Sequence, residues 1–157
     1  MSMKKAILTT AMAMAVISTS ASVADAKELI CAGPRPHTGV KVVLDDHPYM
    51  VSLSSHQKKD CKYVNKDWLV CNIGETRVES MYGNVLFAIH NNRNLYMGMT
   101  FNNIFKGTTL AQKEYRTHVV EQEGAKYGFA CSRENPVLPH ADMVCMSERP
   151  LLKCKEE

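Results

Sequence analysis

The sequence predicts an α+β protein that is mainly antiparallel β. We expect a small disulfide-stapled sheet or partly closed barrel with one helix, Leu110 to Glu123, packed on it. Three observations support this prediction. Short segments that alternate apolar and polar residues follow one another between turn residues from Cys61 to Phe101. Six cysteines are spread along the chain without a CxxC pair, and after Phe101 the hydrophobic period becomes that of a helix.

The amino-terminal segment, Met1 to Ala26, has the form of a secretory signal peptide. Lys4 and Lys5 precede an apolar run, and small residues end the segment at Ala24-Asp-Ala26. We therefore expect residues 27–157 to form one disulfide-stapled, β-rich domain in the periplasm or outside the cell. The apolar run is too short to cross a bilayer, which takes about 20 apolar residues. No membrane span is expected.

The first elements of this domain are three short predicted strands. They are Glu28 to Ala32, Val40 to Leu44 and Tyr49 to Ser54. Proline-containing turns at 33–36 and 45–48 separate them, since proline interrupts the hydrogen bonds of a sheet. In the third strand the alternation predicts that Tyr49, Val51 and Leu53 point inward.

The central stretch begins with a hairpin from Cys61 to Ile73. Gly83-Asn84 then gives the strongest local signal, because both residues tolerate the backbone that a two-residue hairpin turn requires. It predicts a turn between the strands 78–82 and 85–89. A third strand, Leu95 to Phe101, alternates apolar residues, and its register places it beside the strand 85–89.

The helix is predicted from a capping box and a helical face. Thr109-Leu-Ala-Gln112 has the capping-box form, and Gly124 is a residue type that ends helices. The predicted buried face comprises Ala111, Tyr115, His118, Val119 and Gln122. The alternative is a strand from Glu114 to Glu121, whose β-branched residues favour extended structure. A strand from Lys126 to Ser132 and a hairpin of 142–146 with 151–154 complete the prediction.

The cysteines predict three disulfides, because their number is even and all six follow the targeting segment. Two pairs would face each other across short hairpin loops, at 65–67 and at 149–150. The predicted pairs are Cys61 with Cys71, Cys145 with Cys154 and, by elimination, Cys31 with Cys131.

Charge argues against a nucleic-acid partner. The formal charge of +3 falls to +2 when the targeting segment is removed, and nucleic-acid binding usually shows as a basic stripe. The one basic concentration comprises Lys58, Lys59, Lys62 and Lys66. Nearby aspartates dilute it, so we interpret this segment as the solvated end of a hairpin.

Catalytic and metal-binding motifs are scarce. The sequence has no GxSxG, no glycine-rich phosphate loop and no HxH or HExxH histidine spacing. Glu75 and Glu79 are the carboxylates that a small hydrolase with dispersed acids would use, although exposed strand carboxylates are common. Met97 and Met99 lie two residues apart, a spacing from which two thioethers can bind Cu(I). Methionine also fills irregular cores, which we favour here.

We therefore expect a non-catalytic exported binding protein, of the inhibitor or immunity type, without a cofactor. Its loops, which are rich in proline, asparagine and charge, would recognise an envelope protein or ligand. The alternatives are a copper-binding protein that uses Met97 and Met99, and a small hydrolase.

Overall fold

The structure is a computed structural model that describes residues 27–35 and 38–157. The predicted targeting segment lies outside the described residues, as does His37. The described chain forms ten strands and one helix. These are β1 (Glu28–Ala32), β2 (Gly39–Val43), β3 (Tyr49–Ser52), β4 (Lys58–Tyr63), β5 (Trp68–Val78), β6 (Met81–His90), β7 (Asn94–Phe101), α1 (Leu110–Lys126), β8 (Phe129–Ser132), β9 (Met143–Ser147) and β10 (Leu152–Glu156).

Eight of these strands close into an antiparallel barrel. Strands β1 to β7 are neighbours in chain order, and β10 closes the barrel by pairing with both β1 and β7. Strand β7 forks, because Asn94 and Leu95 pair with β10 whereas Gly98 to Phe101 pair with β9. Strand β8 extends the sheet beyond β9. The predicted fold class is confirmed, with a fully closed barrel and the helix packed on β8 and β9.

Alternate strand residues fill the barrel interior, as the two-residue period of a strand requires. This core cluster includes Leu29, Val42, Leu69, Ile89 and Leu95, which are fully buried. A second cluster around Met99, Phe101 and Met143 lies beneath the helix. A third, of Leu86, Ala88 and Val137, lies on the other side of the sheet from the barrel core.

The predicted inward face of β3 is wrong. Met50 is buried, at 4 % exposed, whereas Tyr49, Val51 and Leu53 are half-buried. The register explains the difference, because Met50 lies directly opposite the fully buried Val42 of β2. Directly opposite residues project to the same face of a sheet.

The predicted turn at Gly83-Asn84 is also wrong. Strand β6 runs through both residues, and the chain turns at Glu79-Ser80, where Glu79 has a φ of 54°. Gly83 is needed for close packing instead. A Cβ there would lie 2.5 Å from the carbonyl oxygen of Thr100 and 2.7 Å from the ring of Phe101. The predicted pairing of β7 beside 85–89 is confirmed, with Met97 opposite Phe87.

The helix begins where the capping box predicts and ends later than expected. Thr109 Oγ1 accepts a hydrogen bond from Gln112 N at 3.1 Å, and the Gln112 side chain accepts one from Thr109 N at 2.8 Å. The alternative strand is therefore wrong. Gly124 does not end the helix, because it packs on a disulfide, where an added Cβ would lie 2.5 Å from Cys131 Sγ. Gly128, with a φ of 75°, follows the helix instead.

The buried face of the helix differs from the predicted one. Its buried residues are Thr117, Val120 and Gly124. Of the predicted face only Val119 is half-buried, and its other members are exposed. Small residues, which give little hydrophobic signal, let the helix approach β8 and β9 closely.

One of the three predicted disulfides is confirmed and two are wrong. Cys61 pairs with Cys71 across β4 and β5, as predicted. The other bridges join Cys31 to Cys154 and Cys131 to Cys145. The predicted hairpin of 142–146 with 151–154 does not form, because β9 pairs with β7 and β8 whereas β10 pairs with β1 and β7. Each bridge joins directly opposite residues of neighbouring strands.

Three disulfides indicate a protein that folds in an oxidising, exported environment. Over the described residues, no helix has the length and apolar character needed to span a membrane.

Candidate functional site

One end of the barrel opens into a cavity of about 400 Å³, which we call the barrel mouth. Strands β2 and β4 begin at this end and β3 ends there. Its floor is formed by Val40, Met50, Ile73, Phe87 and Leu152, and its rim by Thr38, Ser52, Ser55, Gln57 and Lys59. An eight-stranded barrel is just wide enough to hold one small ligand, and barrel mouths are common ligand sites.

Two local backbone features define the conformation of the chain at this end of the barrel. Gly39 has a φ of 118°, and a Cβ there would lie 2.1 Å from the carbonyl oxygen of Cys31, so only glycine fits. On the neighbouring strand, where Ser52 lies directly opposite Val40, Ser52 N donates to Gln57 O at 3.0 Å, which closes the loop between β3 and β4. The rim therefore has a defined backbone rather than a loose edge.

Lys59 points into the barrel. It lies directly opposite Met50, which belongs to the buried core, so the two side chains project to the same face. Cys61, two residues further along β4, also packs against that core. Lys59 is half-buried, and its ammonium has neither an ion pair nor a hydrogen bond with any described residue. The barrel mouth therefore combines an apolar floor with one unpaired, inward-facing cation.

The other lysines of the basic segment lie elsewhere. Lys58 is exposed, and its ammonium lies 4.4 Å from the centre of the Tyr49 ring. Lys62 is exposed and lies opposite Val70, away from the barrel core. The sequence predicts that these lysines and Lys59 lie together at one solvated hairpin end, whereas Lys59 lies on the inward face of β4. The available signal was the alternation along β4, but it identifies the inward lysine only once the register with Met50 is known.

Met97 and Met99 share one side of β7, as predicted from their spacing. Met99 is 3 % exposed and belongs to the cluster beneath the helix, which agrees with the interpretation as core. Met97 is half-buried opposite Phe87. The copper hypothesis stays a prediction, which the burial of Met99 does not favour.

The two nominated carboxylates lie in different surroundings. Glu75 is exposed on β5, opposite Asn84. Glu79 is in the β5–β6 turn, where its carboxylate accepts a hydrogen bond from the hydroxyl of Tyr115 at 2.9 Å. This hydrogen bond, together with the negative charge of Glu79, raises the pKa of Tyr115. Glu79 thus links the turn to the helix, and neither carboxylate lines the barrel mouth.

No group of three or more histidine, cysteine, aspartate and glutamate side chains within 27–35 and 38–157 is placed to hold a metal ion. All six cysteines form disulfides. The barrel mouth is therefore the arrangement that we take as the candidate site.

Comparison with known proteins gives no relative. No protein-family model, no curated protein and no solved structure matches this chain.

Proposed function

We propose that this protein is a non-catalytic, exported binding protein that holds a small amphipathic anion in the barrel mouth. The apolar part of the ligand lies on the floor formed by Val40, Met50 and Phe87, and its acidic group pairs with Lys59. The observation that supports this proposal is the inward-facing Lys59 ammonium, which has no acidic partner among the described residues. The signal-peptide pattern of residues 1–26 supports a periplasmic or secreted location.

The energetics favour a ligand with both an apolar and an acidic part. Each CH₂ group that leaves water for the floor contributes about 0.8 kcal/mol. The unpaired ammonium of Lys59 is best stabilised by a carboxylate, sulfonate or phosphate oxygen, since a charge-assisted hydrogen bond is stronger than a neutral one. The site is open on one side, so solvent screens the pair, and we expect it to contribute about 1 kcal/mol.

Decanoate and its uncharged analogue decanol test the proposal. Binding of each to the oxidised protein is measured by displacement of an environment-sensitive fluorophore. We expect decanoate to bind more tightly than decanol, and Lys59→Gln to weaken decanoate binding about fivefold, which corresponds to about 1 kcal/mol, while leaving decanol binding unchanged.

Lys62→Gln is the matched control, because it removes the same charge from the outward face of the same strand. We expect it to change decanoate binding by less than twofold. Equal losses in the two variants, or equal affinity for decanoate and decanol, would show that Lys59 does not select an anion.

A further inference from the structure

A second cavity, of about 550 Å³, lies on the outer surface of the sheet where the segment 138–141 crosses it. We call it the outer groove. Val70, Leu86 and Leu138 give it an apolar base, and these residues belong to the cluster on the side of the sheet away from the barrel core. The outer groove is therefore separate from the barrel mouth.

Two polar side chains beside this base, Thr100 and Asn84, have no side-chain hydrogen-bond partner among the described residues. Thr100 lines the groove and is 7 % exposed, and its hydroxyl has no hydrogen-bond partner among the described residues. Asn84 lies directly opposite Thr100 on β6, so the two side chains are neighbours on one face. Leaving a buried hydroxyl unpaired is unfavourable, and such a group calls for an explanation. A ligand that forms hydrogen bonds with both Thr100 and Asn84 supplies the missing partner.

Two further asparagines line the same groove. The Asn72 side-chain oxygen accepts a hydrogen bond from Gly74 N at 3.1 Å, which leaves its amide NH₂ to donate. The side chains of Asn84 and Asn102 make no hydrogen bond with any residue in the described ranges. Each amide offers both donors and an acceptor, which matches a ligand whose hydroxyl groups also donate and accept.

Asp60 and Lys62 bring one negative and one positive charge to the groove, which His140 also lines. The backbone of β6, which runs beneath the groove, is already used, because its residues 84–88 pair with β5 on one side and with β7 on the other. An extended peptide binds most readily by adding a strand to a free sheet edge. The groove offers side-chain amides and a hydroxyl instead.

We propose that the outer groove is a binding site for an uncharged, hydroxyl-rich ligand, namely a short neutral carbohydrate. Asn84 and Thr100 form the centre of the site, Asn72 and Asn102 add donors and acceptors, and the apolar base packs against the C–H face of a sugar ring. This proposal is independent of the anion proposed for the barrel mouth.

Maltose, cellobiose and N,N′-diacetylchitobiose are the probes for this site. Each is titrated into ¹⁵N-labelled oxidised protein while the side-chain amide signals of the asparagines are followed by NMR. We expect at least one of the three sugars to produce saturable shifts in the amides of Asn72, Asn84 and Asn102. A lack of saturable shifts with all three sugars, or similar shifts with trialanine, would overturn the proposal.

Two nearly isosteric variants test the central residues. We expect Asn84→Leu to weaken binding of the responding sugar at least tenfold and Thr100→Val to weaken it severalfold. Thr100→Val removes a hydroxyl that has no partner among the described residues, so it should fold with an unchanged or higher melting temperature, which checks that lost binding is not lost structure. Lys59→Gln, at the barrel mouth, should leave sugar binding unchanged. Full affinity in both groove variants, or a loss in Lys59→Gln, would contradict the site.

Discussion

Removal of the Cys31–Cys154 disulfide should destabilise the fold more than removal of either other bridge. This bridge spans 123 residues of sequence, whereas the Cys61–Cys71 and Cys131–Cys145 bridges span 10 and 14. The loop-entropy relation assigns about 4.9 kcal/mol to the long bridge and about 2.7 and about 3.0 kcal/mol to the short ones. A domain of this size is typically stable by about 5 to 15 kcal/mol, so the long bridge accounts for a large share.

Burial of the sulfur atoms does not alter this ranking. Replacing each pair with alanine leaves space in the core, but every pair includes at least one fully buried cysteine: Cys31, Cys71 and Cys145 are all 0 % exposed. Cys154 is also buried, at 2 % exposed, whereas Cys61 and Cys131 are half-buried, so the cavity contribution is largest for the long bridge and acts in the same direction. The bridges differ further in the length of chain that each restrains in the unfolded state.

Three double-alanine variants, each with its two remaining bridges verified by non-reducing peptide mapping, provide the assay. Urea unfolding gives the free energy of each by linear extrapolation. We expect the variant without the long bridge to lose about 2 kcal/mol more than either of the others. If the variant without Cys61–Cys71 loses as much as the variant without Cys31–Cys154, restraint of the unfolded chain is not what the bridges contribute.

Three further predictions follow from particular contacts. Gly83→Ala should cost about 1 to 3 kcal/mol of unfolding free energy in urea, because the added Cβ would lie 2.5 Å from the Thr100 carbonyl oxygen. Gly74→Ala should cost less than about 1 kcal/mol, because an added Cβ there would meet no described atom within 4 Å apart from its own chain neighbours. Equal costs in the two variants would contradict this packing argument. Thr109→Ala should cost about 1 kcal/mol through loss of the helix cap, and an unchanged unfolding midpoint would show that the cap contributes nothing. The phenol of Tyr115 should titrate above pH 10.0, because its hydrogen bond to Glu79 favours the neutral form and raises its pKa. The stabilisation is present below the unfolded-state pKa and is lost as the pH rises through the raised one. In ultraviolet titration Glu79→Gln should lower this pKa, and an unchanged pKa would refute the link.

Local patterns predicted most of the strands and the start of the helix, because these depend on alternation and capping within a few residues. The Gly83-Asn84 turn shows where such patterns fail. Glycine serves tight turns and close packing equally well, and the contact that decides between them is with Phe101, a residue of the next strand. The sequence alone does not show that contact.

Two of the predicted disulfides and the predicted position of Lys59 are wrong for the same physical reason. Nearness in sequence predicts a bridge between Cys154 and Cys145, yet closure of the barrel brings Cys154 to Cys31 at the other end of the chain. The charged neighbours of Lys59 predict that it faces solvent, yet the register of β4 against Met50 turns it inward. Both outcomes depend on which strands pair, and strand pairing is a property of the whole sheet.

Strand β4 positions both proposed sites. Because successive side chains alternate between the two faces of a strand, Lys59 reaches the barrel mouth while Asp60 and Lys62 line the outer groove. Strand β4 pairs with two different strands: residues 58–60 pair with β3, and residues 61–63 pair with β5. The Cys61–Cys71 bridge fixes β4 to β5 where the strand passes from one neighbour to the other. The bridge with the shortest loop, which contributes least through chain entropy, is therefore the one that most directly holds the two sites in place.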